Sequence, residues 1–116
     1  MIPVANRFRG SRLIEHVYRR GQSARVDILS ARATHSKGPG YKLAVVVSKK
    51  VSKSAVVRNR IRRRIFEQFR LIFKEKDPPK LDIVVSVYDE KIAKIPTEDL
   101  RKMCEKLLEK LDGRLK

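Results

Sequence analysis

Apolar residues recur along the chain with two different periods, and the change of period marks the elements. Val57, Ile61, Ile65, Phe69 and Ile72 step by three or four, which places them on one stripe of a helix. Ser54 suits the N-cap, because its hydroxyl can accept a bond from an otherwise unpaired first-turn amide. Asp77-Pro78-Pro79 breaks the pattern, so the predicted helix spans 54–75. Leu100, Met103, Cys104, Leu107, Leu108 and Leu111 repeat the same step and predict a core-facing C-terminal helix over 97–112. Thr97 would cap it, Glu98 and Asp99 would favour the positive end of its dipole, and Gly113 would end it. A shorter stripe of Leu13, Ile14, Val17 and Tyr18 predicts a first helix between Ser11 and Gly21.

Strand-like stretches lie between the helices. Tyr41 to Ser48 sets Leu43, Val45 and Val47 on one face and Ala44 and Val46 on the other, the pattern of a central strand covered on both sides. Leu81 to Tyr88 is a second β-branched run, and Ala24 to Ala33 reads as one more strand around Val26, Ile28 and Leu29. Thr34 to Gly40 is rich in turn residues and suits a hairpin connection, while Asp89 to Pro96 reads as a loop and Met1 to Gly10 as a basic lead-in. Strand, long helix, strand implies a crossover that leaves 41–48 and 81–88 parallel in one sheet. At 116 residues the chain suits a single α+β domain spanning 1–116.

Charge changes this picture of a small scaffold. The net charge is +16, yet it is concentrated in the first two-thirds of the chain. Seventeen Lys or Arg stand against two acids up to Phe66, whereas twelve stand against eleven from Glu67 onward. Between Lys49 and Arg64 there are eight cations and no acid: Lys49, Lys50, Lys53, Arg58, Arg60, Arg62, Arg63 and Arg64. Like charges at this density repel one another across a helix turn, so a polyanionic partner is the natural complement. With about 100° between successive residues, Arg58 and Arg62 fall on the apolar side, and Arg60, Arg63, Arg64 and Arg70 point away from it. Arg58 and Arg62 would then line a groove where the first turns overhang the domain, since burying them unpaired is costly.

Autonomous chemistry is not assembled in the sequence. Ser/His/Asp sets, Gly-rich phosphate loops and His/Cys metal spacings are missing, and the acids cluster away from the basic surface. His16 and His35 lack a partner at ligand spacing and read as surface residues. Cys104 is the lone cysteine and reads as a small core residue, so no internal disulfide is expected. No segment has the pattern of a signal peptide or the length of a membrane span, which points to a cytoplasmic binding protein with no protein partner evident.

From Val45 to Arg70 the sequence resembles a known family, the protein component of bacterial ribonuclease P. The matching residues are Ser48, Lys49, Lys50, Ala55, Val56, Arg58, Asn59, Arg60, Ile61, Arg62, Arg63, Phe69 and Arg70. Asn6-Arg7-Phe8, the short first helix, Gly21 and the closing helix extend the resemblance over most of the chain. It implies a four-stranded mixed sheet in αβββαβα order with a left-handed crossover. It also implies a noncatalytic subunit that joins a catalytic RNA, which removes the 5′ leader of precursor tRNA with Mg2+; no cofactor is expected on the protein itself. The expected RNA-binding set is Lys49, Lys50, Lys53, Arg58, Asn59, Arg60, Arg62, Arg63, Arg64 and Arg70. The expected cleft for the single-stranded leader involves Phe8, Ile14, Tyr18, Arg58 and Arg62. Ile14 stands where the family often has Phe, and Arg64 and Phe66 replace an apolar residue and a cation, so this cleft should stack less and use more charge. A structural rRNA-binding protein of the ribosome is the alternative that size and charge alone equally support.

Overall fold

A computed structural model describes residues 11–36, 40–75 and 80–115 of the chain. Its elements are α1 (Ser11–Arg20), β1 (Gln22–Val26), β2 (Leu29–His35), β3 (Lys42–Val46), α2 (Ala55–Glu75), β4 (Leu81–Val87), a 3-10 turn (Glu90–Ala93) and α3 (Thr97–Leu115). The sheet order is β1-β2-β4-β3, with β1–β2 and β2–β4 antiparallel and β3–β4 parallel. The crossover through α2 thus joins two parallel neighbours, and the αβββαβα order is the one the resemblance implied.

Three strand assignments need correction. Ala24 to Ala33 is a two-strand hairpin rather than one strand, because Asp27 turns the chain with a φ of 53° and Val26 pairs with Leu29. Aspartate is one of the few non-glycine residues that tolerates this left-handed region, so the turn forms without the usual Asn-Gly signal. Thr34 and His35 belong to β2, and the connection that follows is no hairpin, since β4 lies between β2 and β3. β3 is an edge strand whose Ala44 and Val46 face is half-buried, whereas β4 is the central strand and carries the nearly continuous buried run. Hydrogen bonding on both edges and packing on both faces explain that run.

The alternation along each strand divides the domain into two layers. Leu29, Ala31 and Ala33 of β2 and Ile83, Val85 and Val87 of β4 point into the main core. Ile61, Ile65 and Phe69 of α2 and Leu100, Leu107 and Leu111 of α3 meet them there, as the helical stripes predict. Cys104 lies in this core, and burial pushes its thiol up to about 12. On the opposite face, α1 packs over β2 and β4, and Val17 of α1 and Val84 of β4 are both buried. Gly21 closes α1 where a Cβ would stand 2.4 Å from the Val17 carbonyl oxygen, so the turn into β1 requires glycine.

Two smaller expectations also change. The 89–96 loop contains the 3-10 turn, capped by the Asp89 carboxylate, which accepts from the Lys91 amide at 2.9 Å. Gly113 does not end α3, which continues to Leu115 with open space around the glycine. Among the described residues no helix is long and apolar enough to cross a membrane. The lead-in 1–10 and the Asp77-Pro78-Pro79 break lie outside the described residues.

Candidate nucleic-acid interface

The entry to α2 is held by its own hydrogen bonds. The Ser54 hydroxyl accepts from the Val57 amide at 3.3 Å and the Ser54 carbonyl from the Arg58 amide at 3.0 Å, which is the predicted cap. Upstream, the Ser48 carbonyl accepts from the Val51 amide at 3.1 Å, and the Ser52 hydroxyl accepts from the Ser54 amide at 3.3 Å. This ordered bend exposes Lys49, Lys50 and Lys53. Arg58 is half-buried and donates from Nη1 to the Ser52 carbonyl at 3.0 Å, so it braces the bend it follows.

Asn59, Arg60 and Arg63 are exposed along the first turns of α2. Arg62 donates to Asn59 Oδ1 at 2.7 Å, which orients its guanidinium along the helix surface. Arg64 has a different place from the one expected of it. Its guanidinium is half-buried and donates to the backbone carbonyls of Ile92 and Ile95, the latter at 2.5 Å. Those carbonyls lie in the 3-10 turn and two residues after it, and an arginine fork satisfies both at once. Arg70 is ion-paired with Glu67, with contacts of 3.1 and 2.5 Å, and this hydrogen bonding holds the Glu67 carboxyl below the usual carboxylate value. The open cationic surface is therefore Lys49, Lys50, Lys53, Arg60 and Arg63, with Arg58, Asn59 and Arg62 arranged beside it.

A second polar strip runs over the sheet face next to α1. Tyr18 shares a 3.0 Å hydrogen bond with the Ser86 hydroxyl, and Arg32 donates to the Tyr18 carbonyl at 2.6 Å while its guanidinium lies 5.7 Å from the ring centroid. Tyr88 shares a 2.8 Å bond with the Ser30 hydroxyl and carries the Arg25 guanidinium 4.4 Å above its ring. Sheet register explains the continuity, since Arg25 opposes Ser30 and Ser30 opposes Ser86. Tyr18 and Tyr88 are 38% and 51% exposed, so each ring offers a face to solvent beside a cation.

The expected cleft is only partly the one the structure assembles. Tyr18 is on the strip, and Ile14 is half-buried one turn before it on α1. Phe8 lies outside the described residues. Arg58 and Arg62 make their hydrogen bonds within α2 and its entry bend, and the cations beside the rings are Arg25 and Arg32. Arg32 could have been suspected from its place on the polar side of an alternating strand, but Arg25 and Tyr88 meet only through the fold. The two surfaces do share one end of the sheet. Val46 pairs with Ser86, so the chain leaves β3 beside the Tyr18–Ser86 contact and enters the lysine bend within a few residues. Among the described residues no three of His, Cys, Asp and Glu converge to hold a metal.

Comparison with known proteins places the chain in a family. The family model described as Ribonuclease P matches residues 2–112. A ribonuclease P protein component of Pseudanabaena sp. is 39% identical over 89 residues, covering 75% of each chain. That of Synechococcus sp. strain WH7803 is 30% identical over 126 residues, covering 94% of this chain and 95% of its own. The match to the Prochlorococcus marinus MIT 9313 component, 35% identical over 82 residues, spans 60% of this chain and 64% of that protein. Among solved structures, the RNase P protein from Thermotoga maritima superposes with a TM-score of 0.76 at 25% identity, covering 95% of this chain and 97% of that one. The Staphylococcus aureus protein superposes with a TM-score of 0.75, covering 90% and 93%. With the family model matching residues 2–112 and a relative 30% identical along almost the full length of both chains, the protein belongs to the Ribonuclease P protein family.

Proposed function

We propose that this protein is the noncatalytic subunit of a ribonuclease P ribonucleoprotein. It binds the catalytic RNA through the lysine bend and the exposed side of α2, and it holds the single-stranded 5′ leader of precursor tRNA on the sheet face. The observation that carries this reading is the exposure of Lys49, Lys50, Lys53, Arg60 and Arg63, all from a stretch of chain that contains no acid. A rigid cap and bend hold it in place.

Each surface suits a different part of the RNA. Ammonium and guanidinium groups on an ordered bend neutralise phosphates and release counterions, a contact that reads backbone geometry rather than sequence. Asn59 can donate and accept, and it positions Arg62 for the same backbone. Tyr18 and Tyr88 offer stacking faces to unpaired bases, with Arg32 and Arg25 supplying charge for the phosphates between them. Arg64 and Arg70 support the helix through their intramolecular partners. The bond-breaking step belongs to the RNA and its Mg2+, and the protein works in the cytoplasm by positioning substrate.

The test is cleavage of a precursor tRNA at low Mg2+ by a bacterial ribonuclease P RNA, with and without the full-length protein, and with the protein alone as control. Stimulation only in the combined reaction is expected. Tight RNA binding without stimulation of a cognate RNA would favour the rRNA-binding alternative, and cleavage by the protein alone would overturn the noncatalytic assignment.

A further inference from the structure

Arg25 stands near the end of an edge strand, where the sheet holds the chain on one side only. β1 is the outer strand of the order β1-β2-β4-β3, and Val26 closes its two-residue turn by pairing with Leu29. In an antiparallel ladder the carbonyls of alternate residues turn away from the neighbouring strand. With Val26 closing the turn, Arg25 is one of those residues. Its carbonyl accepts instead from Lys110 Nζ at 2.9 Å, a residue of α3 that lies 85 positions away in the sequence.

This bond meets the strip of rings from the far side. Arg25 Nε donates to the Asp27 carbonyl at 3.2 Å, and the guanidinium lies 4.4 Å from the Tyr88 ring centroid. The Tyr88 amide in turn donates to the Ile28 carbonyl at 3.0 Å. The cation and its ring therefore hang from the same turn, and Lys110 ties the strand leading into that turn to α3. Lys110 has no acid three or four residues away on its own helix, and the residues four before and four after it are Lys106 and Arg114. An ion pair along α3 does not explain its placement. The Arg25 carbonyl does.

A flexible arginine needs such a hold. A cation over an exposed ring gains little, and an arginine side chain has many rotamers, so the stack alone fixes the guanidinium weakly. The position of the Arg25 backbone then decides whether the guanidinium stays above Tyr88.

We propose that Lys110 is a positioning residue for the 5′ leader, an inference that rests on the reading of the sheet face given above. Lys110 contacts neither base nor phosphate. It anchors the Arg25 backbone to α3 and so keeps the guanidinium over Tyr88 before RNA arrives. A cation already in place spares the ordering cost that a mobile one meets on binding.

The test has two arms. In the first, NMR of the full chain reads the Arg25 side-chain protons, which the ring current of Tyr88 shifts upfield while the guanidinium lies over the ring. Lys110→Met keeps the length of the stem and removes the donor, and it should move these signals most of the way to their positions in Tyr88→Ala. Lys110→Arg restores a donor and should keep them near wild type. The bond is exposed and exchanges for one to water, so the melting temperature should hold in both variants. Unmoved signals in Lys110→Met overturn the proposal.

The second arm compares the affinity for precursor and mature tRNA in the complex of the full chain with a bacterial ribonuclease P RNA. Lys110→Met should lower the preference for precursor by roughly two- to tenfold, and Lys110→Arg should recover it. In an Arg25→Ala background the carbonyl remains and the guanidinium is gone, so Lys110→Met should cause no further loss. An equal loss in that background makes Lys110 a direct RNA contact or a structural residue and overturns the positioning role. An unchanged preference in the single variant overturns it as well. A wild-type complex without preference for precursor would instead overturn the leader reading of the sheet face, and the first arm still decides whether Lys110 holds Arg25.

Discussion

Arg64 of α2 donates to the backbone carbonyl of Ile95 across 2.5 Å, and the same guanidinium also reaches the carbonyl of Ile92. A residue from the most basic stretch of the chain is therefore committed to holding the 3-10 turn and the entry of α3 against α2. Charge alone would have assigned it to RNA. The carbonyls it satisfies would otherwise be left without partners at the edge of the core.

This relationship separates two kinds of arginine on one helix. Arg64→Ala should destabilise the fold by about 1–3 kcal/mol, read as a lower urea midpoint, and leave the salt dependence of RNA binding unchanged. An unaltered midpoint would show that the two carbonyls are equally well served by water.

Arg60→Ala should behave in the opposite way. The side chain is exposed, so the melting temperature should hold while affinity for the catalytic RNA falls. The slope of log affinity against log salt should shrink by about one. Unchanged affinity at equal stability would remove Arg60 from the interface.

Tyr88 gives a test of the sheet face. Tyr88→Ala removes a half-exposed ring and the seat of the Arg25 guanidinium. Stacking on one base is worth about 1–3 kcal/mol, so binding of precursor tRNA should weaken while binding of mature tRNA, which lacks the leader, stays constant. Tyr88→Phe keeps the ring and loses only the bond to Ser30, so it should retain most of the discrimination. Equal loss for both tRNAs would place the leader elsewhere.

Asp82 gives the fold a pH dependence. Burial raises its carboxyl above the ordinary aspartate value, opposed by the Lys42 charge, a hydrogen bond from Ser36 and the nearby His16. The folded chain therefore keeps this proton to higher pH than the unfolded chain does. Stability from this group falls as pH rises from the ordinary aspartate value through the raised one, and it stays reduced above it. Asp82→Asn should raise stability at neutral pH by on the order of 1 kcal/mol. The advantage should fade as the pH approaches about 4, where aspartate in the unfolded chain also becomes protonated. Thermal melts of both proteins across that range check the sign, and a variant less stable at neutral pH would contradict it.

The helices were readable because their information is local. The stripe from Val57 to Ile72 and the Ser54 cap lie within a few turns of one another, and the same holds for Leu100 to Leu111. Strand identity was less readable. The turn at Asp27 has no glycine, so one apparent strand concealed a hairpin. Ala44 and Val46 looked like buried positions, but burial depends on which strand lies in the middle of the sheet, and that is β4.

The sequence by itself determined a small α+β domain, a helix with one apolar stripe and many cations, and a run of lysines just before it. Periodicity, capping and charge density are properties of neighbouring residues. The tertiary structure decided which cations remain open. It gave Arg64 a partner 28 to 31 residues away, joined Arg25 to Tyr88 and to Lys110, and joined Tyr18 to Ser86. Those juxtapositions follow from strand order and register, which arise from packing between distant segments and leave no local periodic trace.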